Sequence, residues 1–312
     1  MVPITMKSRH WIVAVLVMAG LPSGALGTTF SAGIENSRWI LSDSIFACTL
    51  THPVPGYGEA VFYHRAGESL RFFLQPVRNP MRAGEAALVI EQPSWKAGKP
   101  VDDLGYVRVE DNHDRPVELS SGTSERMLAS LREGRRPTFT RRARQSDRPV
   151  RVRLNHVNYG SPHQSFRRCQ SELLPVNYDQ VQRTVVLFDL DESDLSQEAR
   201  ERLDDVALYV KADDRITQVY VDGHTDSIGT PLRNRELSKA RAEAVAGYLQ
   251  DQGVPEDQLV TRFHGDRYPV AGVETPGPRH RRATVRLERE NDDDEADPVV
   301  TQAQRKDLVI VD

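Results

Sequence analysis

Residues 218–226 of this 312-residue chain read Gln-Val-Tyr-Val-Asp-Gly-His-Thr-Asp, and they decide the fold of its last third. The first five residues predict a β-strand that ends at Asp222, and Gly223 to Asp226 predict a turn after it. A turn that leads from a strand into a helix exposes backbone N–H groups at the edge of a sheet, where a carboxylate binds readily. The stretch therefore predicts both a local fold and a candidate site.

The helix after this turn has clear predicted ends. Thr230 suits the N-cap, Pro231 suits the first helical turn, and Gly253 suits the position just past the last turn. The apolar residues at helical spacing predict its buried face, which comprises Leu237, Ala240, Ala244, Val245, Tyr248 and Leu249.

Four further segments complete this region. They are a strand at Thr184 to Phe188, a helix whose apolar residues run from Leu195 to Val210, and strands at Val260 to His264 and Ala283 to Leu287. The resulting order β-α-β-α-β-β predicts an α/β sandwich in which helices cover a mixed sheet.

The region before it has a different sequence pattern. From Thr28 to about Arg168, short strand-like runs alternate with proline and glycine residues, which is typical of an antiparallel β-domain. The runs lie at Leu70 to Leu74, Ala86 to Ile90, Tyr106 to Val109 and Val150 to Leu154. One helix is predicted at Ser124 to Arg132. The whole chain is therefore predicted to be α+β, with a mostly antiparallel β-domain first and the sandwich second.

The N-terminus predicts export. Lys7 and Arg9 form a short positive region, residues 11–21 are mainly apolar, and residues 25–27 (Ala-Leu-Gly) offer small side chains around a cleavage site. This order is typical of a secretory signal peptide, and the apolar run is shorter than the roughly 20 residues that a membrane span needs. A buried strand or short helix is the alternative. No later segment resembles a membrane span, so we expect an exported protein.

The length and the sequence pattern predict four parts of the chain. They are a signal peptide at residues 1–27, a β-rich domain at 28–175, the α/β sandwich at 176–290 and a tail at 291–312. Residues 171–179 are expected to form the linker between the domains. The acidic run that begins at Asp292 is typical of a disordered tail.

The chain contains two cysteines, Cys48 and Cys169. In an oxidising compartment an even pair predicts one disulfide, and two buried free thiols are the alternative. The bond would tie the start of the first region to its end and close it into one domain.

The spacing around Asp226 suggests a binding site. Asp226 lies on the turn, Arg241 lies about three helical turns into the next helix, and Asn234 precedes Arg241 by about two turns on the same side. A carboxylate beside a bidentate cation suits a zwitterion, with an ammonium on Asp226 and a carboxylate on Arg241. Alternatively, Asp226 caps the helix and Arg241 pairs with it as a structural bridge.

These residues also resemble a known family. Thr225-Asp226, ten residues, Leu237-Ser238, two residues and Arg241-Ala242 is similar to the pattern of the OmpA-like peptidoglycan-binding family. The resemblance implies that Asp226 and Arg241 hold the free amino-acid end of diaminopimelate in the wall peptide. It also implies that Asn234, Asp189 and Thr225 line that site, and it implies no cofactor and no catalytic residue.

Two positions depart from the family pattern. Phe263 stands where the family usually has glycine, and His280 stands where it usually has asparagine before Arg281-Arg282. The departures leave the pair of Asp226 and Arg241 in place, but they put the far rim of the predicted pocket in question.

The first region resembles periplasmic ring proteins of the bacterial flagellar motor. The similarity lies in residues 48–62 (Cys-Thr-Leu-Thr-His-Pro-Val-Pro-Gly-Tyr-Gly-Glu-Ala-Val-Phe), 92–95 and 134–139. It implies a periplasmic protein whose first domain binds the flagellar basal body and a MotX-like partner. The second domain would hold peptidoglycan, and the protein would help to retain the stator units.

Other functional classes have less support in the sequence. A general envelope anchor and a wall-targeted enzyme are the alternatives, but residues 28–175 show no acid/base pair at a recognisable spacing. A metal at His224 lacks further ligands at a suitable spacing. Nine arginines between Arg132 and Arg153 suit either a solvated strand face or a docking surface for an acidic partner. Export argues against nucleic acid.

Overall fold

A computed structural model describes residues 27–93, 101–111 and 114–290 of the chain. The predicted signal peptide and the predicted acidic tail lie outside these residues, except for Gly27. Two large hydrophobic cores and one small cluster of Val61, Tyr63 and Phe73 lie in the described part. The larger one extends from Trp39 to Cys169, and the second extends from Tyr178 to Leu287.

The first core lies between two five-stranded sheets. In chain order, the elements are β1 Thr28–Ser31, β2 Ile40–Asp43, β3 Ala47–Val54, β4 Gly58–Arg65, β5 Arg71–Pro76, β6 Gly84–Glu91, β7 Asp102–Val109, β8 Val117–Leu119, α1 Ser121–Arg132, β9 Arg136–Arg142, β10 Pro149–Arg153 and α2 Gly160–Glu172. One sheet has the order β1-β10-β9-β6-β7 and the other β2-β3-β4-β5-β8. All neighbours are antiparallel except β1 and β10. The predicted mostly antiparallel β-domain is confirmed.

Helix α2 was not predicted from the sequence. It buries two side chains, Phe166 and Cys169, which are too few apolar positions to predict a helix from their spacing. A disulfide between Cys169 and Cys48 of β3 fixes it to the first domain, with the two Cα atoms 6.0 Å apart. The predicted disulfide is therefore present, and it joins residues separated by 121 positions.

The second core belongs to one mixed sheet and its helices. The elements are α3 Tyr178–Val181, β11 Arg183–Leu187, α4 Gln197–Ala212, β12 Ile216–His224, α5 Pro231–Asp251, β13 Leu259–Phe263 and β14 Arg282–Arg289. The sheet has the order β11-β14-β12-β13, in which β12 and β13 are parallel and the other pairs are antiparallel. Helices α4 and α5 pack on one face of it. This is the predicted β-α-β-α-β-β sandwich.

The residues predicted to form a linker, 171–179, instead form a packed joint. The side chain of Asn177 is buried, and its Nδ2 donates to the carbonyl of Ala66 in the turn after β4. Gln180 Nε2 donates to the carbonyl of Gly67 in the same turn. Gly67 has a φ of +68°, and a Cβ there would lie 2.1 Å from Oε1 of Gln180. Direct hydrogen bonds therefore hold the start of the second region against the first.

Five of the nine arginines between Arg132 and Arg153 pair with carboxylates of the first domain. Arg151 and Arg153 both pair with Glu91, Arg135 pairs with Asp102, and Arg144 pairs with Asp111. Arg141 donates three hydrogen bonds to backbone carbonyls. The structure therefore favours the strand-face interpretation of this stretch over a docking surface for an acidic partner.

Candidate functional site

The site is built where β12 meets α5. Gly223, near the end of β12, packs so closely on the helix that a Cβ would lie 1.9 Å from the carbonyl oxygen of Ser238. No larger residue fits there without moving the helix, so glycine brings the strand end and the helix together. The turn that follows places Asp226 over the first turns of α5.

The ends of α5 are the predicted ones. The side chain of Thr230 accepts a hydrogen bond from the N–H of Arg233, and Pro231 opens the helix. The buried face, however, is rotated from the predicted one, because Asn234, Ser238 and Arg241 are buried whereas Ala240 and Tyr248 are half-buried. The spacing of apolar residues does not predict this face, because several of its buried side chains are polar.

Asp226 is a buried carboxylate with a fixed orientation. It is 4% exposed. Its Oδ1 accepts a hydrogen bond from the N–H of Ile228 at 3.2 Å, and its Oδ2 lies 3.3 Å from Nη1 of Arg281. Its carbonyl accepts a hydrogen bond from Nδ2 of Asn234 at 3.3 Å. These contacts hold the carboxylate at one position before any ligand arrives.

Arg241 is fully buried and is held by backbone carbonyls. Nε donates to Glu192 at 2.8 Å, Nη1 to His224 at 3.0 Å and Nη2 to Asp189 at 3.0 Å. A guanidinium has five N–H donors, so one N–H on each of Nη1 and Nη2 is left. The structure therefore contradicts the alternative in which Arg241 pairs with Asp226 as a bridge.

The charge of Arg241 is not matched by a contacting carboxylate. Among the described residues it forms no ion pair, in contrast to Arg281. Burial, and then the positive charge of Arg281, lower the pKa of Arg241 to about 10, although Asp226 and Asp191 act in the opposite direction. The side chain remains a cation at neutral pH, and an incoming anion would offset the cost of burying it.

Asp226, Asn234 and Arg241 line one cavity of about 200 Å³. The other lining residues are Leu190, Asp191, Ile228, Gly229, Arg233, Leu237 and Arg281. An ion pair between Arg233 and Asp191 closes the exposed rim. The cavity thus places one carboxylate and two cations inside a partly apolar wall, which suits a small zwitterion on an aliphatic chain.

Two family models match the chain, one in each of its two regions. Residues 30–175 match the family model of the MotY N-terminal domain, and residues 187–283 match that of the OmpA family. The chain carries a MotY N-terminal domain followed by an OmpA domain. The sodium-type flagellar protein MotY of Vibrio parahaemolyticus serotype O3:K6 is 29% identical over 291 residues, which cover 90% of this chain and 99% of that protein.

Further relatives match the OmpA domain alone. Outer membrane protein A of Bordetella avium is 40% identical over 101 residues, which cover 32% of this chain and 52% of that protein. This chain thus spans about half the length of that relative. The crystal structure of the peptidoglycan-associated lipoprotein from Burkholderia pseudomallei is 29% identical, with a TM-score of 0.32, and covers 33% of this chain and 89% of that one.

Two predicted site residues of the OmpA domain lie outside the cavity lining. Asp189 is exposed, and it contributes its backbone carbonyl, which accepts from Arg241. Thr225 is buried with its N–H bonded to the carbonyl of Gly265, and its Oγ1 has no partner among the described residues. Both residues therefore support the site rather than line it.

Arg281, Asp191 and Arg233 are the charged lining residues that the sequence did not assign. Arg281 directly precedes β14, which runs antiparallel to β11, so it lies beside Phe188 at the end of β11. The sequence analysis predicted the order of elements along the chain but not which strands pair, and the pairing of β11 with β14 is what places Arg281 at the site.

The two departures from the family pattern, Phe263 and His280, lie outside the cavity lining. Arg235 stacks on Phe263 with its Cζ 5.2 Å from the ring centroid. His280 is buried, accepts a hydrogen bond from the N–H of Val270 and contacts the carbonyl of Glu274. His280 thereby holds together the loop before β14, and neither residue lines the cavity.

His224 packs on another histidine. Its ring stacks on His264 with the centroids 5.0 Å apart, and His264 contacts Asp222 at 2.8 Å. Burial, and then Arg282, lower the pKa of His224 to about 4, so it is neutral at pH 7. Within the described residues, no group of three His, Cys, Asp or Glu side chains is arranged to hold a metal.

None of the described helices is both long enough and apolar enough to cross a bilayer.

Proposed function

We propose that the OmpA domain binds peptidoglycan through the free amino-acid end of diaminopimelate in the wall peptide. The observation that carries this proposal is the cavity in which buried Arg241, without a carboxylate partner, faces the fixed carboxylate of Asp226. A ligand with an ammonium and a carboxylate on one carbon satisfies both groups at once.

Each side chain has a defined part in this binding. The ammonium lies against Asp226, and the carboxylate accepts the two remaining N–H groups of Arg241, with Arg281 beside it. Leu190, Ile228 and Leu237 cover the aliphatic chain that leads to the wall peptide. Asn234 positions Asp226 through its carbonyl. Attachment requires no bond to be made or broken, so we assign no catalytic residue.

We propose further that the protein is a periplasmic tether of the flagellar motor. Similarity to MotY over nearly the whole chain supports this part of the proposal. In this scheme the domain at residues 28–175 binds the basal body and a MotX-like partner, and the domain at 176–290 holds the wall. The stator units are thereby retained around the rotor. The packed joint at Asn177 suits the role, because a tether must transmit force between its two domains.

Two measurements test the proposal at different levels. The purified protein should pellet with isolated sacculi, and free meso-diaminopimelate should release it, whereas the same concentration of cadaverine, which has two ammonium groups on an aliphatic chain but no carboxylate, should not. Pelleting that resists diaminopimelate would exclude the assigned pocket.

In the cell, deletion of the gene should give flagellated but paralysed bacteria. Normal swimming with a fragile envelope would indicate a general wall anchor instead.

A further inference from the structure

The face of the C-terminal sheet that α4 and α5 leave uncovered is rich in arginine. Its outward side chains include Arg183 on β11, Arg262 on β13, and Arg282 and Arg286 on β14, with Tyr220 of β12 at the centre. We call these five residues the arginine face. None of them lines the cavity described above.

The arginine face is ordered around the tyrosine ring. The Cζ atoms of Arg262 and Arg286 lie 4.4 Å and 4.3 Å from the centroid of Tyr220. Arg183 lies opposite Arg286 in the register of β11 and β14. Arg282 donates through Nη2 to the carbonyl of Tyr268, and its buried Nη1 has no hydrogen-bond partner. Stacking fixes the guanidinium planes but leaves their outer N–H groups available.

Carboxylates on the same face offset only part of its positive charge. Within the described part of the chain, none of its four arginines forms an ion pair, whereas five of the nine arginines between Arg132 and Arg153 do. Of the carboxylates on the same face, Asp222 contacts His264 and Glu288 contacts the hydroxyl of Tyr220. Four arginines on one sheet face without an ion-pair partner indicate a surface that attracts an anionic segment.

The chain itself supplies a matching segment directly after this sheet. Residues 292–297 read Asp-Asp-Asp-Glu-Ala-Asp. Their attachment point is fixed, because the N–H of Glu290 donates to the carbonyl of Arg215 at 2.9 Å. Arg286 lies four residues before Glu290 and Asp294 four residues after it, which is roughly 13 Å in either direction along an extended chain. A chain that turns back from Glu290 therefore brings its carboxylates over the arginines.

We propose that the acidic segment at residues 292–297 docks on the arginine face of its own chain. Docking neutralises the face and keeps it from attracting other anionic polymers of the envelope. Since the contacts are ionic and solvent-exposed, the docked state weakens as salt concentration rises.

The test uses the full-length chain in two forms and a labelled peptide of residues 291–301. The second form is a tail-neutral variant with Asp292→Asn, Asp293→Asn, Asp294→Asn, Glu295→Gln and Asp297→Asn. Fluorescence anisotropy at low salt should show that the peptide binds the tail-neutral chain. The natural chain should bind it at least about tenfold more weakly, because a tethered tail competes at a roughly millimolar effective concentration.

Two outcomes would overturn the proposal. Equal binding of the peptide to both forms would mean that the face is open in the natural chain and suits a separate acidic partner. An absence of binding to the tail-neutral chain would mean that the face does not receive acidic segments at all.

A matched pair of variants locates the peptide. In the tail-neutral chain, Arg183→Glu with Arg286→Glu should abolish binding, whereas Arg126→Glu with Arg168→Glu, the same charge change on exposed residues of the first domain, should leave it unchanged. Equal loss of peptide binding in both double variants would show that binding depends on net charge alone, and it would refute the proposed site. Arg183→Gln with Arg286→Gln gives the same comparison if the glutamate pair does not fold, and circular dichroism reports folding.

Discussion

Asp226 and Arg281, which are 55 residues apart in the chain, meet at the cavity with Oδ2 and Nη1 separated by 3.3 Å. Arg281 is itself held by the carbonyl of Phe188, and Arg241 is held by the carbonyl of the next residue, Asp189. The end of β11 thus positions both cations of the pocket. Because the charged groups are fixed before a ligand arrives, binding requires little further ordering of side chains.

Replacing Asp226 with asparagine should weaken wall binding and leave the fold nearly intact. The amide keeps the shape of the carboxylate but loses the charge that attracts an ammonium. One charge-assisted hydrogen bond contributes about 1.5–3 kcal/mol, so affinity for sacculi should fall about ten- to a hundredfold in a pelleting assay. Asp251→Asn at the exposed end of α5 is the matched control and should pellet like the natural protein. Unchanged pelleting of Asp226→Asn would refute the role assigned to it.

Replacing Arg241 with alanine should destabilise the OmpA domain as well as abolish binding. Three backbone carbonyls, those of Asp189, Glu192 and His224, lose their donor, and an unsatisfied buried carbonyl costs about 1–3 kcal/mol. Urea denaturation followed by circular dichroism should show a loss of several kcal/mol, in contrast to Asp226→Asn. Equal stability of Arg241→Ala and Asp226→Asn would show that Arg241 does not stabilise the fold.

The disulfide should stabilise the first domain selectively. In the chain-entropy model a loop of this length contributes about 4–5 kcal/mol, so Cys48→Ser with Cys169→Ser should lower the urea midpoint of that domain. Tryptophan fluorescence reports it, since residues 176–290 contain no tryptophan. The same variant should still pellet with sacculi. An unshifted fluorescence midpoint would contradict the expected stabilisation.

A buried ion pair at the base of the OmpA domain should make its stability depend on acid pH. Asp213 and Arg289 pair at 2.6 Å, with side chains 2% and 1% exposed. Burial opposes the charge of Asp213, but hydrogen bonds from Arg215 and Arg289 outweigh it and lower the pKa from 3.8 to about 2. A lowered carboxyl pKa stabilises the fold above pH 3.8, and this contribution is lost as the pH falls towards 2.

Asp213→Asn tests this dependence. At pH 7 it should lower the free energy of unfolding by about 3–5 kcal/mol, because Arg289 is left buried without its partner. The difference from the natural protein should shrink between pH 5 and pH 2 in urea denaturation. Asp214→Asn, at an exposed neighbouring position, should change neither value. A difference that stays constant down to pH 2 would show that the ionisation of Asp213 does not contribute.

The sequence predicted the parts of the fold that follow from regular spacing. The order of strands and helices after residue 183 could be predicted because apolar residues recur at helical or strand spacing and Thr230, Pro231 and Gly253 mark the ends of α5. Helix α2 could not be predicted, since its two buried side chains, Phe166 and the disulfide-bonded Cys169, are too few to set a helical spacing. The packed joint at Asn177 was missed for a related reason, because a polar residue that caps a short helix looks like a linker in sequence.

The candidate site was predictable only where its residues lie close together in sequence. Asp226, Asn234 and Arg241 belong to one turn and one helix, so their common side follows from helical geometry. Arg281 and Asp191 come from distant segments that only the sheet brings together. The support of Arg241 by three carbonyls also depends on the loop after β11, whose path no spacing rule specifies.

Titration calorimetry with two wall peptides tests the central claim most directly. One peptide carries meso-diaminopimelate and the other carries lysine, which has the same ammonium and aliphatic chain but lacks the terminal carboxylate. Since that carboxylate is the group assigned to Arg241, the diaminopimelate peptide should bind at least about tenfold more tightly, a preference of 1.4 kcal/mol or more. Equal affinity for the two peptides would contradict the assignment of Arg241 and Asp226 as a site for the amino-acid end of diaminopimelate.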